Sequence, residues 1–168
     1  MKIILYIGLF IQQYFHPTLP ANKLVMALKQ IDHGSKDYEQ MVTLRYEILR
    51  KPLGLNFSQD ELENEKNDIL IGAFEDERIM GCCLVTKVDN QVAKLRQMAV
   101  SKNMQRMGIG ESMMSFAENI TRDRGYKILM MHARDSAIGF YERFGYKVKG
   151  DQFIEVNLQH HIMEKKLR

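Results

Sequence analysis

The sequence predicts an α+β fold of three layers (α/β/α), in which helices cover both faces of a mixed, mostly antiparallel sheet. Three strand-like runs, at residues 69–74, 78–88 and 91–100, are joined by short polar turns and therefore form an antiparallel meander. A long amphipathic segment at 108–124 separates the third run from the next strand at 127–132. Because this helix can cross over the sheet, the two strands that flank it can lie parallel.

The elements before the meander follow from apolar runs and helix caps. An apolar stretch at residues 24–31 fits a first strand, so that the meander supplies the second to fourth strands. Ser35 or Asp37 can then cap a helix that ends at Pro52.

The remaining elements are shorter. Ser58 and Glu61 form a capping-box pattern that begins a second, acidic helix through about residue 66, and we expect its charges to face solvent. After the parallel strand, a helix is predicted near 136–144, followed by strand-like segments at 146–149 and 153–166.

Length and composition indicate one domain. The 168 residues are 45% apolar and 27% charged, with 11 Gly and 3 Pro, so neither disorder nor a fibrous repeat is indicated. We expect a single domain over residues 21–168, preceded by an apolar extension and linker over residues 1–20. The net charge of +3 is scattered along the chain, and we expect no nucleic-acid partner.

The N-terminal extension contains an unbroken apolar run at residues 3–11. This run is far shorter than the ~20 residues that a membrane span needs. A secretory signal peptide is the alternative, but no small-x-small cleavage site follows the run. We expect the segment to pack on the domain or on a partner chain, which leaves a homodimer open.

The two cysteines, Cys82 and Cys83, are adjacent within an apolar run. Adjacent cysteines are poorly placed for a mutual disulfide or a zinc site. Buried free thiols are typical of a reducing compartment, and we expect a cytoplasmic protein without a metal and without membrane association.

The most informative stretch is the glycine-bearing turn at residues 105–110, which opens the long helix. Such a turn presents unpaired backbone N–H groups and the positive end of the helix dipole, and Arg106 adds a fixed fork of donors. The pattern predicts a pyrophosphate site. A Rossmann fingerprint fails because Met113 stands where its third glycine belongs, and a Walker A loop fails because no lysine follows Gly110.

A second motif lies at residues 137–146 and contains Phe140, Tyr141, Phe144, Gly145 and Tyr146. From the residues alone, the aromatic side chains fit a core and Gly145 fits a helix C-cap.

Together the two motifs resemble the GNAT superfamily of N-acetyltransferases, over roughly residues 24–167. The coenzyme A loop of that family reads Gln/Arg-x-x-Gly-x-Gly/Ala, which Gln105, Gly108 and Gly110 match in place. The segment after its fifth strand reads Ala-x-x-Phe/Leu-Tyr-x-x-x-Gly-Phe/Tyr, which residues 137–146 match in register. Both motifs lie in the family's order and at about its separation.

The resemblance implies acetyl-CoA as cosubstrate, bound in a central splay between the fourth and fifth strands. Pantetheine would take backbone hydrogen bonds there like an added strand, and a bulge is the usual device for such a splay. The implied cofactor-binding residues are Met98, Ala99, Val100, Gln105, Arg106, Met107, Gly108, Ile109, Gly110, Glu111 and Arg134. Arg134 departs from the family pattern, in which many members carry Asn.

The resemblance also implies catalytic roles. Tyr141 matches the tyrosine that lies near the acetyl-CoA sulfur and can protonate the leaving thiolate. The C-terminal run resembles a variant ending, Phe-x-Glu-x-x-x-x-His-x-x-Met, and suggests Glu155 or His160 as the proton acceptor. If residues 153–166 form one regular strand, Glu155 faces either the cleft or water.

The implied function is transfer of an acetyl group from acetyl-CoA to a primary amine, on a small molecule or a peptide, by direct attack in a ternary complex. Direct attack needs no enzyme nucleophile, which makes Cys82 and Cys83 weak candidates for an acyl carrier. The alternatives are a GNAT-like protein that senses acyl-CoA without turnover and a transferase of a longer acyl group.

Overall fold

The computed structural model describes residues 26–168, and the predicted extension at 1–20 lies outside this range. Seven described strands form a sheet in the order β1-β2-β3-β4-β5-β7-β6. They are β1 (Ala27–Ile31), β2 (Ile69–Glu75), β3 (Arg78–Lys87), β4 (Val92–Val100), β5 (Ile128–Arg134), β6 (Lys147–Glu155) and β7 (Leu158–Lys166). Only β4 and β5 pair in parallel among these neighbours, as the sequence predicts.

Helices cover both faces of the sheet and complete the predicted three layers. The α-helices are α1 (Lys36–Arg45), α2 (Gln59–Glu63), α3 (Ile109–Asp123) and α4 (Ile138–Glu142). A π-helical turn (Tyr46–Arg50) and a 3₁₀ turn (Lys51–Leu53) continue α1, so the helical run passes through Pro52. No helix of the described range is long and apolar enough to cross a membrane.

The two helical layers bury different sides of the same strands. Met41 of α1 packs in a cluster with Leu84 and Cys82, whereas Met114 of α3 packs in a cluster with Cys83. Because successive strand residues point to opposite faces, the adjacent cysteines lie in different layers of the core. Both cysteines are free and fully buried.

A splay opens between the two parallel strands. Pairing of β4 with β5 ends at Leu95 and Met131, although β4 continues to Val100 and β5 to Arg134. The ends of the two strands therefore leave a gap in the middle of the sheet, which confirms the predicted splay.

A β-bulge bends β4 at the point where the splay begins. In the β3–β4 register, Leu84 pairs with Arg96 and Cys82 pairs with Ala99. Two residues, Gln97 and Met98, therefore lie opposite Cys83 alone. Gln97 has a φ of 49°, in the left-handed region that is unusual for a residue other than glycine. Such a bulge increases local twist and re-aims the end of the strand.

A buried polar cluster supports the bulge from the side of α1. Arg45 is fully buried, and its Nη1 and Nη2 donate to Oε1 and Oε2 of Glu65 at 2.7 and 2.8 Å. The Tyr38 hydroxyl donates to Glu65 Oε2 at 2.7 Å. Arg45 Nη1 also donates to the Gln97 side-chain oxygen at 3.0 Å. The cluster thus ties α1 and the segment after α2 to the strained residue of β4.

The burial of Glu65 corrects the expectation that the charges of the second helical segment all face solvent. Ser58 and Glu61 do form the predicted capping box. Glu65, in the 3₁₀ turn after α2, is only 2% exposed. Burial alone would lower the pKa of Arg45, but the hydrogen-bonded Glu65 carboxylate outweighs this effect and raises it.

The C-terminal segment is a hairpin, so the prediction of one strand over residues 153–166 is wrong. Val156 and Asn157 both have positive φ, at 50° and 59°, and form the two-residue turn between β6 and β7. Phe153 of β6 pairs with His160 of β7. Glu155 and His160 therefore lie on neighbouring strands, and their faces follow from the cross-strand register.

We predict that Arg45→Met destabilises the protein by about 3–5 kcal/mol, because it leaves the Glu65 carboxylate buried without its cation. The free energy of unfolding should be measured by urea titration. The double variant Arg45→Met/Glu65→Met should lose less free energy of unfolding than the two single variants lose in total, since it removes both charges.

The control is Lys51→Met, which removes an exposed pair with Glu47 at 2.9 Å. Exposed pairs contribute little, so this variant should unfold close to the parental midpoint. Equal losses for Arg45→Met and Lys51→Met would contradict a structural role for the buried pair.

Candidate functional site

The splay opens into a cleft of about 410 Å³. Five residues singled out from the sequence line it together: Met98, Arg134, Tyr141, Glu155 and His160. Leu49 and Leu53, from the helical turns after α1, contribute apolar wall on one side. The volume lies within the range of small-molecule pockets.

The glycine loop does not line this cleft and instead forms the N-terminus of α3. Gly108 is the N-cap with a φ of 80°, and no side chain caps the helix. The Ser112 N–H donates to the Gly108 carbonyl at 3.0 Å, which is the first bond of the helical ladder. The N–H groups of residues 109–111 precede this bond and are available to an anion. Arg106, exposed beside them, also has a positive φ of 66°.

Gly108 and Gly110 have different structural roles. A Cβ added at Gly108 would meet no atom within 4 Å, so a side chain there would occupy open space. A Cβ at Gly110 would lie 3.3 Å from Phe140 Cζ. Glycine at position 110 is therefore explained by the packing of α3 against α4, in addition to the expected approach of a ligand.

The other predicted loop residues divide between exposed and buried. Gln105, Met107 and Glu111 are exposed, and Gln105 Nε2 donates to the Val100 carbonyl at 3.3 Å. Ile109 is 1% exposed because its side chain packs in the core, so it can offer a ligand only its backbone.

On β4, too, one predicted cofactor-binding residue has a buried side chain and can offer a ligand only its backbone. Ala99 is 2% exposed and packs in the cluster under α1, whereas Met98 and Val100 are partly exposed. After Leu95, the edge of β4 that faces β5 has no strand partner, so its backbone groups are free to bind an extended ligand.

Tyr141 reaches the cleft from α4 beneath the splay. Its hydroxyl donates to Met98 Sδ at 3.7 Å, and its ring packs edge-on against Phe140 at 5.1 Å between centroids. Burial raises the pKa of Tyr141 to about 12. The side chain is therefore a hydroxyl donor at neutral pH.

A histidine that the sequence analysis missed occupies the cleft beside Glu155. The Nδ1 atom of His132 lies 3.0 Å from Glu155 Oε2. If Nδ1 carries the proton and donates it to this carboxylate, Nε2 is left as an acceptor. Lys94 Nζ lies 3.1 Å from each of the two ring nitrogens. His132 ends the run 127–132. Because strand residues two apart point to the same face, its position between Met130 and Arg134 was the sequence feature that could have placed it beside Arg134.

His160 is almost fully buried in the same wall. It is 4% exposed, and its Nδ1 lies 2.9 Å from the Leu158 carbonyl, which can accept the Nδ1 proton. The ring stacks on Phe153 at 6.0 Å between centroids. Its Nε2 would then be the acceptor nitrogen, so the cleft holds a second imidazole with a defined orientation.

The two thiols are unsuited to a covalent role. Burial raises the pKa of Cys82 to about 12 and raises the pKa of Cys83 as well. Neither residue lines the cleft. A buried, protonated thiol is a poor nucleophile, which favours chemistry without an enzyme acyl carrier.

The chain is similar in sequence and in fold to known proteins. The chain is 27% identical over 81 residues to the uncharacterized protein YyaT of Bacillus subtilis (strain 168), a match that covers 48% of this chain and 55% of YyaT. The matched region thus spans about half the length of that relative.

Two solved structures share the fold. An acyl-CoA N-acyltransferase from Pseudomonas aeruginosa has 14% identity and a TM-score of 0.73, with 84% of this chain and 99% of that chain covered. A GNAT family acetyltransferase from Elizabethkingia anophelis with acetyl-CoA bound has 16% identity and a TM-score of 0.65, with 84% and 98% covered. Residues 35–146, more than half of the sequence, match the acetyltransferase (GNAT) family model, and the chain belongs to that family.

Proposed function

We propose that this protein transfers an acetyl group from acetyl-CoA to a primary amine by direct attack in a ternary complex. The observation that carries the proposal is the bulged, unpaired end of β4, which faces the splay while Tyr141 reaches the same cleft. The structure from Elizabethkingia anophelis, which has the same fold and holds acetyl-CoA, supports this choice of cosubstrate.

The cofactor would bind through backbone groups at two places. Pantetheine would pair with the free edge of β4 around Met98 and Val100. The pyrophosphate would accept hydrogen bonds from the N-terminus of α3, with Gln105, Arg106 and Met107 beside it. These contacts use N–H groups that have no acceptor in a helical or strand ladder.

Different residues of the cleft would serve different steps of acyl transfer. The Met98 N–H would stabilise the oxyanion that forms when the amine attacks the thioester carbonyl. His132 would accept the ammonium proton on Nε2, while Glu155 would hold the ring and stabilise the imidazolium. Tyr141 would donate to the departing sulfur. His160, whose ring lies in the same wall, is the second candidate for the proton acceptor.

The pKa of Tyr141 limits what its hydroxyl can do. A thiol comparable to cysteine has a pKa of about 8.5, well below the value of about 12 for Tyr141. Complete proton transfer to the thiolate would therefore be uphill. The hydroxyl would stabilise the thiolate mainly by a hydrogen bond, and solvent would supply the proton after release.

The proposal is tested by measuring thiol release from acetyl-CoA in the presence of small amines, amino acids, polyamines and peptides. Turnover with an acceptor supports the proposal. Binding of acetyl-CoA without turnover over the whole panel would contradict the enzymatic role and favour a sensor. Faster release from longer acyl-CoA esters would contradict the choice of acetyl.

We predict that Gly108→Ala weakens acetyl-CoA binding by at least about tenfold, because the added methyl group would project into the space in front of the α3 N-terminus. Isothermal titration calorimetry measures the dissociation constant. The matched control is Gly125→Ala at the other end of α3, where φ is 88° and a Cβ likewise meets nothing within 4 Å. Both variants carry the strain of a left-handed alanine, so equal affinities for the two would place the pyrophosphate elsewhere.

We predict that His132→Gln lowers turnover at neutral pH by about 10² and moves the rise in rate to higher pH, because the amine must then lose its proton to solvent. Glu155→Gln should shift the profile in the same direction by a smaller amount, since Glu155 acts through His132. The pH dependence of kcat provides the measurement.

The control is His161→Gln, adjacent to His160 on β7 and outside the cleft, where Nε2 lies 3.3 Å from Asp135 Oδ1. A shifted profile for His160→Gln together with parental profiles for His132→Gln and Glu155→Gln would assign the proton acceptor to His160 instead.

We predict that Tyr141→Phe lowers kcat by about 10² while the affinity for acetyl-CoA stays close to parental. The hydroxyl contributes only when charge develops on sulfur, so the loss should appear in the transition state. Steady-state kinetics and calorimetry separate the two effects. Tyr126→Phe, in a partly buried ring outside the cleft, is the control, and parental kcat in both variants would leave Tyr141 a packing residue.

A further inference from the structure

One wall of the cleft is rich in cationic side chains to which the proposed steps of acyl transfer assign no role. Four cationic side chains line the cleft, whereas Glu155 is the one carboxylate in the lining. Lys94 and Arg96 come from β4, Arg134 comes from β5, and Arg50 comes from the π-helical turn after α1.

The three strand residues project from the face of the sheet opposite α3. Leu95 and Met131, which alternate with them, are buried in the cluster under α3. Because successive strand residues point to opposite faces, Lys94, Arg96 and Arg134 share the other face. The phosphate-binding loop at the N-terminus of α3 contributes no residue to this wall. These cations are therefore separate from the proposed pyrophosphate site.

Two of the four cations have acidic neighbours. Arg50 Nη2 donates to Glu61 Oε1 at 2.8 Å, and its guanidinium stacks on Phe57, so its charge is balanced locally. Arg96 Nη1 lies 3.7 Å from Asp68 Oδ2, beyond hydrogen-bond length. Burial raises the pKa of Asp68, and the charge of Arg96 offsets part of this rise.

The other two cations have no carboxylate partner in the described part of the chain. No acidic group of residues 26–168 lies within 4.0 Å of Lys94 or Arg134. The nearest carboxylate of the cleft, Glu155, instead contacts His132, with Oε2 3.0 Å from Nδ1. Burial lowers the pKa of Lys94, and the charge of Glu155, more than 4.0 Å away, offsets this effect only in part. An anion bound here would supply the remaining compensation.

We propose that the acceptor amine carries a carboxylate or phosphate group, which Lys94, Arg96 and Arg134 bind beside the reacting nitrogen. This inference rests on the proposed function, since it assigns the acceptor of the same site. Lys94 Nζ is 3.1 Å from the ring of His132, so the anion and the amine of the acceptor lie within a few bonds of each other. A free amino acid, a peptide of few residues and an amino phosphate ester all meet this requirement.

The test compares matched pairs of acceptors in the thiol-release assay with acetyl-CoA. β-Alanine is paired with β-alaninamide, and O-phosphoethanolamine is paired with ethanolamine. We expect kcat/KM at least about tenfold higher for the acidic member of one or both pairs, the equivalent of one charge-assisted contact. The carboxylate and phosphate arms identify which anion is preferred.

Three variants locate the anion. Lys94→Met, Arg96→Gln and Arg134→Gln should each raise KM for the acidic acceptor about tenfold relative to KM for its neutral partner, which corrects for any effect of the variant on His132 or the cofactor. Arg122→Gln, which alters an exposed arginine of α3 outside the cleft, should leave both unchanged. An increase in the dissociation constant of acetyl-CoA for Arg134→Gln, without a change in acceptor KM, would assign that residue to the cofactor.

The outcomes separate this inference from the proposed function. Turnover that is equal for both members of each pair, or better for the neutral member, overturns the anionic acceptor and leaves acetyl transfer intact. If no member turns over, binding to the coenzyme A complex is measured by calorimetry. Binding of the acidic members alone then supports the inference, and binding of neither member or of both equally overturns it.

Discussion

The buried ion pair between Arg45 and Glu65 is the contact on which the shape of the cleft depends. Arg45 reaches from α1 to the side chain of Gln97, whose backbone is in the left-handed region. A residue in such a conformation persists only where surrounding contacts hold it. The pair thus contacts the bulge at which the end of β4 separates from β5. The gap in the sheet, and with it a place for an extended ligand, begins at this bulge.

The gap allows the two faces of the sheet to take different parts in one reaction. On the side of α3 and α4 lie the helix N-terminus and Tyr141, which suit phosphate and a departing thiolate. On the other side lie His132 with Glu155 and the three cations proposed to bind the acceptor. This set suits an amine that carries an anionic group. Acetyl-CoA and its acceptor would therefore enter from opposite faces and meet at the bulge. Such an arrangement would favour the proposed direct transfer, since both fully buried thiols lie outside the cleft.

The sequence predicts well what is local along the chain and poorly what depends on pairing between distant segments. The meander, α3 and the Gly108 turn each carry their signal within a few residues. Arg45 with Glu65 and His132 with Glu155 are 20 and 23 residues apart, and nothing in either segment marks its partner. The turn at Val156 and Asn157 lacks the glycine that usually marks a two-residue hairpin, which explains why the sequence pattern places the break between the last two strands at residues 150–152 instead.

In the proposed complex, acetyl-CoA would lie in the splay, with its thioester at the bulge and its pyrophosphate at the N-terminus of α3. Amide hydrogen exchange, followed by NMR with and without acetyl-CoA, tests it at single residues. We expect increased protection at the amides of Met98 and of residues 109–111, with the exposed edge strand β6 unchanged. Protection that leaves both of these places unaffected, while acetyl-CoA is demonstrably bound, would contradict it.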